Sequence, residues 1–177
     1  MAQTKKEIQE ILHASGSDGP RHRFGQNFMI DQNLVRLVAE AGGVKAGELV
    51  VEVGPGTGTL TDELLKTGAD VLAVEIDRDL AGALRERLGG NERFRLIEGD
   101  ALAGKHELHP DLVAALRDAG GRGLTTRLVA NLPYNIASPL IVELLIEGVQ
   151  TLAFTVQKEV GDRLKGKPGS DDYGPLT

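Results

Sequence analysis

The sequence predicts an α/β fold built around a doubly wound parallel sheet, and three observations lead to this fold class. Short apolar runs alternate with segments whose apolar residues recur at helical spacing, which is typical of strands and helices that follow one another. One run leads directly into a glycine-rich turn and a helix start. Polar clusters follow the apolar runs, where parallel α/β sheets place their ligands. With 177 residues, 41% of them hydrophobic, the chain suits one globular domain.

The glycine-rich turn lies within Leu49–Leu60. Leu49 to Val53 is predicted to be a buried parallel strand, and a helix is predicted from Thr59 to Thr67. Three glycines within Gly54–Gly58 let a ligand approach the backbone, and the helix start offers N–H groups to it. The dinucleotide fingerprint G-x-G-x-x-G would require glycine at position 59, where the chain has Thr.

The remaining elements follow from the same patterns. Residues 1–20 are predicted to form a flexible extension, and Asp31 to cap a helix that ends at Gly42-Gly43. Four further strands, about five in all, are predicted at Asp70–Ile76, Phe94–Ile97, Leu128–Ala130 and Thr151–Val156. Helices are predicted at Arg78–Leu88, from Pro110 at an N1 position, from the cap and N1 pair Ser138-Pro139, and over the basic stretch 157–165.

The composition excludes several classes of protein. The absence of cysteine rules out disulfides and thiolate-bound metals, and the four histidines lack metal-ligand spacing, so they are predicted to face solvent and no metal is expected. The N-terminus has no signal-peptide pattern and no stretch is suited to cross a membrane, so a cytoplasmic location is expected. A net charge of −6 argues mildly against a nucleic-acid partner.

Three carboxylates stand in or after predicted strands. Glu75 is placed to accept from the two hydroxyls of a ribose, since both carboxylate oxygens are acceptors; the alternative is a surface acid at a strand end. Asp100 follows the third strand and is placed to accept from an adenine amino group. Glu52, inside the first strand, is expected to hold loop amides or a ligand's amino group.

The tetrapeptide Asn131-Leu132-Pro133-Tyr134 follows the fourth strand and is the predicted catalytic motif. The Asn131 oxygen and a nearby carbonyl can both accept from one exocyclic NH₂, which exposes the nitrogen lone pair for attack on a methyl group. Pro133 removes a competing N–H donor, and Tyr134 offers a face on which a base can stack. The alternative is a simple turn closed by Asn and Pro.

These motifs together resemble one family. The stretch Glu52–Gly58 resembles motif I of class I S-adenosylmethionine-dependent methyltransferases, which have a Rossmann-like sheet. In order and spacing, the chain resembles the ribosomal RNA adenine N6,N6-dimethyltransferases, in particular the branch that acts on the 3′-terminal hairpin of small-subunit rRNA. The matching segments are Phe24–Met29, Glu52–Gly58, Glu75, Gly99-Asp100, Asn131–Tyr134 and Gln157–Val160.

The resemblance implies S-adenosyl-L-methionine as the cofactor and two adjacent adenines, each methylated twice, in an assembling 30S-type particle. It implies that Asn131 and Tyr134 hold the target adenine. The positions that match the family's cofactor-binding residues are Asn27, Met29, Gly54, Glu75, Asp100 and Asn131. Three alternatives are a large-subunit rRNA dimethyltransferase of the macrolide-resistance type, a non-catalytic nucleic-acid-binding relative, and a DNA adenine methyltransferase.

Two departures from the family pattern matter. Met29 stands where Leu is usual. Five strands are predicted where such enzymes have seven, so residues 21–177 are expected to form an incomplete methyltransferase domain without the C-terminal helical domain. We therefore expect cofactor binding with poor methylation. We also expect dimerisation along the open edge of the fifth strand.

Overall fold

The computed structural model describes residue 10, residue 29 and residues 31–133, 136–171 and 173–174. The helices in this part of the chain are α1 Gln32–Ala41, α2 Thr59–Lys66, α3 Arg78–Leu88, α4 Pro110–Gly121, α5 Ala137–Ile146 and α6 Lys158–Leu164. The strands are β1 Leu49–Val53, β2 Asp70–Glu75, β3 Phe94–Glu98, β4 Leu102–Gly104, β5 Glu107–Leu108, β6 Thr126–Asn131 and β7 Thr151–Thr155.

Five of the strands form one sheet in the order β3-β2-β1-β6-β7, and every pair in it is parallel. Helices α1, α2 and α3 cover one face, where α1 and α2 pack against side chains such as Val50 and Val129. Helices α4 and α5 cover the other face, against side chains such as Val51 and Leu128. The predicted α/β fold with a doubly wound parallel sheet is therefore confirmed.

The path of the chain creates one switch point in the sheet. From β1 the chain winds outward through β2 to β3, and it then returns to place β6 on the other side of β1. The carboxyl ends of β1 and β6 therefore diverge toward helices on opposite faces of the sheet. In open α/β sheets the crevice at such a point is where ligands bind.

Local sequence signals explain most of the element ends. Asp31 accepts the N–H of Asn33 at 2.8 Å, which confirms it as the cap of α1. Pro110 occupies the first turn of α4 as predicted. The predicted cap at Ser138 is wrong, because α5 already begins at Ala137 and its N-cap, Ile136, makes no side-chain cap bond. Pro139 is nevertheless tolerated, since the first turn of a helix does not need its N–H.

Two further corrections concern the strands. β6 begins at Thr126, earlier than predicted, because Thr126 and Arg127 pair with Leu49 and Val50 although neither is apolar. The antiparallel pair of β4 and β5 was not predicted; its short strands carry no alternating pattern. The proposed extension at 1–20 lies outside the described residues apart from position 10. Among the described helices, none has the length and apolar character needed to cross a membrane.

Candidate functional site

The turn after β1 has a backbone that only glycine adopts easily. Gly54, Gly56 and Gly58 have φ angles of +71°, +59° and +78°. The N–H of Gly54 donates to the carbonyl of Val74 in β2 at 2.9 Å, and the N–H of Gly58 closes a turn onto the carbonyl of Pro55 at 2.9 Å. The glycines therefore shape a tight loop that is anchored to the neighbouring strand.

Glu75 ends β2 directly beside this glycine loop. Its side chain is buried, and its two carboxylate oxygens accept the N–H groups of Gly56 at 3.0 Å and Asp77 at 2.9 Å. Burial raises the pKa of Glu75, while the bonds from the two amides oppose that rise. Glu75 is therefore not a surface acid, and it ties the glycine loop to the start of α3.

Glu52 does not hold the loop amides, which was the first of its two predicted roles. It is buried in β1 on the face covered by α2, and its Oε2 accepts the hydroxyl of Thr61 at 2.7 Å. The loop amide that was expected to reach Glu52 goes to Glu75 instead. Burial raises the pKa of Glu52 to about 8, because the bond from Thr61 only partly offsets the loss of water and Asp62 and Glu75 add negative charge nearby.

The predicted catalytic motif begins at the last residue of β6, across the switch point from the glycine loop. Asn131 is half-buried, and its Oδ1 accepts the hydroxyl of Thr155 at the end of β7. Leu132 is buried in the core of the sheet face that α4 and α5 cover. Pro133 lies against Gly54, so close that a Cβ on Gly54 would stand 3.3 Å from the Pro133 Cγ. The structure thus brings the glycine loop and the Asn-Leu-Pro segment together.

Other predicted positions lie farther out or are not described. Asp100 is exposed after β3, two strands away from β1, and accepts the N–H of Leu102 at 3.0 Å. Met29 packs against the core between the sheet and helices α1 and α2. Asn27 and Tyr134 lie outside the described residues.

Several residues at the site carry no motif and were missed. Arg87 reaches the loop from α3, and Thr155 reaches Asn131 from β7. An expectation that the described histidines face solvent is wrong for His109, which is half-buried and whose Nδ1 accepts the N–H of Asp111 as the cap of α4. Pairing along β6 and β7 would have suggested Thr155, since it stands directly opposite Asn131.

The arrangement offers a ligand the shared rim of the glycine loop and the Asn-Leu-Pro segment. The missing side chain of Gly54 lets Pro133 pack against the loop, and Glu75 lies buried beside the loop with both carboxylate oxygens on backbone amides. Within the described part of the chain, no three His, Cys, Asp or Glu side chains are grouped so that they could hold a metal ion.

Comparison with known proteins identifies the family. The profile of the ribosomal RNA adenine dimethylase family matches residues 18–177. The chain is 45% identical over 161 residues to a ribosomal RNA small subunit methyltransferase A of Moorella thermoacetica, which covers 89% of this chain and 55% of the relative. It is 46% identical over 158 residues to the protein of the same name from Hahella chejuensis, which covers 88% of this chain and 54% of the relative. The chain thus spans about half the length of these curated relatives.

Solved structures agree with this relationship. A dimethyladenosine transferase from Plasmodium falciparum superposes with a TM-score of 0.66 at 26% identity, covering 83% of this chain and 49% of that one. The 23S rRNA methyltransferase ErmE superposes with a TM-score of 0.62, also at 26% identity, covering 85% of this chain and 54% of that one. From the match of the family profile and the identity to the curated relatives, this chain belongs to the ribosomal RNA adenine dimethylase family.

Proposed function

We propose that this protein is a cytoplasmic S-adenosylmethionine-dependent methyltransferase. It transfers methyl groups to the N6 amino groups of two adjacent adenines in the 3′-terminal hairpin of small-subunit rRNA, in an assembling 30S-type particle. The names of the relatives support the small subunit as the substrate, since both are small-subunit rRNA methyltransferases.

One observation carries the proposal: Pro133 of the Asn-Leu-Pro segment lies against Gly54 of the glycine loop at the switch point. Methyl transfer requires the donor and the acceptor nitrogen to be held within a few ångströms of each other. A cofactor on the glycine loop and a base at Asn131 would meet here. The contact therefore supports methyl transfer, which needs the donor and the acceptor side by side.

The cofactor side of the site has the groups that S-adenosylmethionine requires. Glu75 gives a carboxylate for the ribose hydroxyls, and Gly54 contributes the backbone of the glycine loop, with Pro133 packed on its Cβ side. Asn27, Met29, Asp100 and Asn131 complete the proposed cofactor-binding set. When bound, the cofactor supplies an electrophilic methyl group on a sulfonium.

The adenine side depends on Asn131. Because the Thr155 hydroxyl donates to the Asn131 Oδ1, the amide is held with its oxygen at a defined place near the end of β6. We propose that this oxygen also accepts from the adenine amino group and turns the nitrogen lone pair toward the methyl donor. Pro133 and Tyr134 would shape the base pocket, and the buried Leu132 would anchor the segment in the core.

We further propose that the 177-residue chain binds the cofactor but methylates particles slowly. The positions proposed for cofactor binding all lie within residues 27–131. The net charge of −6 gives little attraction to phosphate, on which RNA affinity mostly depends.

The experiment measures cofactor binding by calorimetry and methyl transfer from labelled cofactor to 30S subunits, 50S subunits and duplex DNA, with protein in excess to detect slow transfer. We expect binding and a slow transfer confined to 30S subunits that Asn131→Ala abolishes. Asn91→Ala, in the exposed turn before β3, is the control and should change neither quantity. Labelling of 50S subunits would favour the macrolide-resistance type, and labelling of duplex DNA a DNA methyltransferase. Failure to bind the cofactor would refute the proposal.

A further inference from the structure

Arg87 reaches from α3 to the back of the glycine loop. Its Nη2 donates to the carbonyl of Thr57 at 2.9 Å and to that of Gly58 at 3.3 Å. Its Nη1 donates to both carboxylate oxygens of Asp62, in the first turn of α2, at 2.7 and 2.8 Å. The guanidinium therefore joins three elements of the structure: α3, the last two residues of the loop and the start of α2.

The fit around these contacts is close. A Cβ on Gly58 would stand 2.2 Å from the Arg87 Nη2 and 2.7 Å from the Leu84 Cδ2, so α3 leaves no space for a side chain at that position. The side chain of Asp62 is only 15% exposed and that of Arg87 31% exposed. The Asp62 carboxylate is thus mostly covered, while the Arg87 side chain keeps contact with solvent.

The contacts orient the peptide units of the loop. In a trans peptide the C=O and the following N–H point in opposite directions. A guanidinium that holds the Thr57 and Gly58 carbonyls toward α3 therefore turns the N–H groups of Gly58 and Thr59 away from α3. The Gly58 carbonyl also accepts the N–H of Asp62 at 3.0 Å, so the same atom links the loop to the first turn of α2.

We propose that Arg87 is a positioning residue for cofactor binding, which acts through Thr57 and Gly58. The inference rests on the proposed function, because it takes the glycine loop as the cofactor-binding site. Arginine suits this task because its planar fork can hold a carboxylate with one nitrogen and carbonyls with another, which the single ammonium of lysine does not reproduce. By this account the loop is held in its binding shape before the cofactor arrives, which lowers the ordering cost of binding.

The test compares Arg87→Gln with Arg85→Gln in the same 177-residue chain. Arg85 lies on the same helix and pairs with Glu98 at 2.9 Å, with its side chain 58% exposed, so this control removes the same charge without touching the loop. We expect Arg87→Gln to weaken S-adenosylmethionine binding by roughly tenfold or more in calorimetry, since it removes hydrogen bonds from a charged donor. Arg85→Gln should stay within about twofold of the wild type.

Hydrogen exchange separates positioning of the loop from general stability. Arg87→Gln should speed the exchange of the Thr57, Gly58 and Thr59 amides without cofactor, while the amides of β1 and β2 keep their protection. Arg87→Lys should recover part of the affinity. Asp62→Asn keeps the contacts of Arg87 to the carbonyls but weakens the hydrogen bonds between position 62 and the guanidinium, so it should give an intermediate loss of cofactor affinity.

The outcomes are separable. Affinity within about twofold of the wild type in Arg87→Gln, with the wild type binding, would overturn the role of Arg87 alone. A lower melting temperature with unchanged affinity would do the same, because it would show a purely structural role. Should Arg87→Gln not fold, an unchanged affinity in both Arg87→Lys and Asp62→Asn would overturn it. Absence of binding by the wild type would instead refute the proposed function.

Discussion

The buried carboxyl of Glu52 contributes to the pH dependence of the stability of the fold, and Glu52→Gln removes that contribution. Gln has the same size, and its side-chain oxygen can still accept the Thr61 hydroxyl that Glu52 accepts at 2.7 Å. It carries no ionisable group. The substitution therefore removes the ionisable group while the packing and the hydrogen bond from Thr61 are kept.

The magnitude follows from the pKa. Burial raises the pKa of Glu52 from its ordinary 4.5 to about 8. Between those values the folded chain keeps a proton that the unfolded chain has lost, so the contribution of Glu52 to the free energy of unfolding is highest below pH 4.5 and falls as the pH rises. Each pH unit corresponds to about 1.4 kcal/mol. The interval of about 3.5 units sets a ceiling of about 5 kcal/mol on the loss.

Urea unfolding followed by circular dichroism at pH 5, 6, 7 and 8 measures this loss. We expect the free energy of unfolding of Glu52→Gln, relative to wild type, to rise by about 2–4 kcal/mol between pH 5 and pH 8. Glu86→Gln, which removes an exposed carboxylate from α3, should follow the wild type at every pH. Parallel curves for Glu52→Gln and the wild type would show that Glu52 is ionised in the folded protein and would refute the reasoning.

Three further outcomes are expected. Glu75→Gln turns an NH₂ toward the N–H of Gly56 or Asp77. Calorimetry should then show S-adenosylmethionine affinity lower by about tenfold or more, and urea unfolding should show a free energy of unfolding lower by about 1–3 kcal/mol. Unchanged affinity would contradict the assignment of Glu75 to the ribose. Thr155→Val should slow methyl transfer about threefold to tenfold, whereas Thr155→Ser should not; equal rates in the two variants would remove Thr155 from the reaction. Because β7 is an edge of the sheet and its five residues are half-buried, sedimentation should show concentration-dependent association of this chain, and a monomer at all concentrations would contradict it.

The sheet could be predicted because its signals are local. Apolar runs such as Leu49–Val53 are buried on both faces, and the glycines after β1 occupy backbone conformations that other residues avoid. The sequence also predicts that the glycine loop and Pro133 lie at the same edge of the sheet, since both follow the carboxyl ends of parallel strands. That the two are in contact depends on β6 lying beside β1, which the strand order of the structure shows.

Contacts made across the fold could not be predicted in the same way. Arg87 and Asp62 are 25 residues apart, and nothing in their local patterns distinguishes them from the solvent-facing charges of two amphipathic helices. Glu52 was recognised as unusual within an apolar strand, but its partner depended on which face of β1 α2 covers. The cap of α5 was misplaced since Ser-Pro is a common helix start and α5 begins without any side-chain cap.

The two buried acids also predict that cofactor binding is linked to protons. Burial raises the pKa of both Glu52 and Glu75, so near neutral pH Glu52 is mostly protonated and Glu75 holds its proton to a higher pH than an exposed glutamate does. S-adenosylmethionine carries a positive sulfonium, and a positive charge nearby favours the ionised form of a carboxylate. Binding should therefore release protons, and affinity should rise with pH between 4.5 and about 8.

Calorimetry at pH 7 in phosphate and in Tris counts those protons, because the two buffers take them up with different enthalpies. Binding of S-adenosylmethionine should release more protons from the protein than binding of S-adenosylhomocysteine, which lacks the sulfonium charge but retains the ribose. In Glu52→Gln, the two ligands should differ less in the number of protons released on binding, because the protons that Glu52 contributes are gone. The proton release that the ribose hydroxyls cause at Glu75 should persist. Equal proton counts for the two ligands would show that the sulfonium charge does not act on these buried carboxyls.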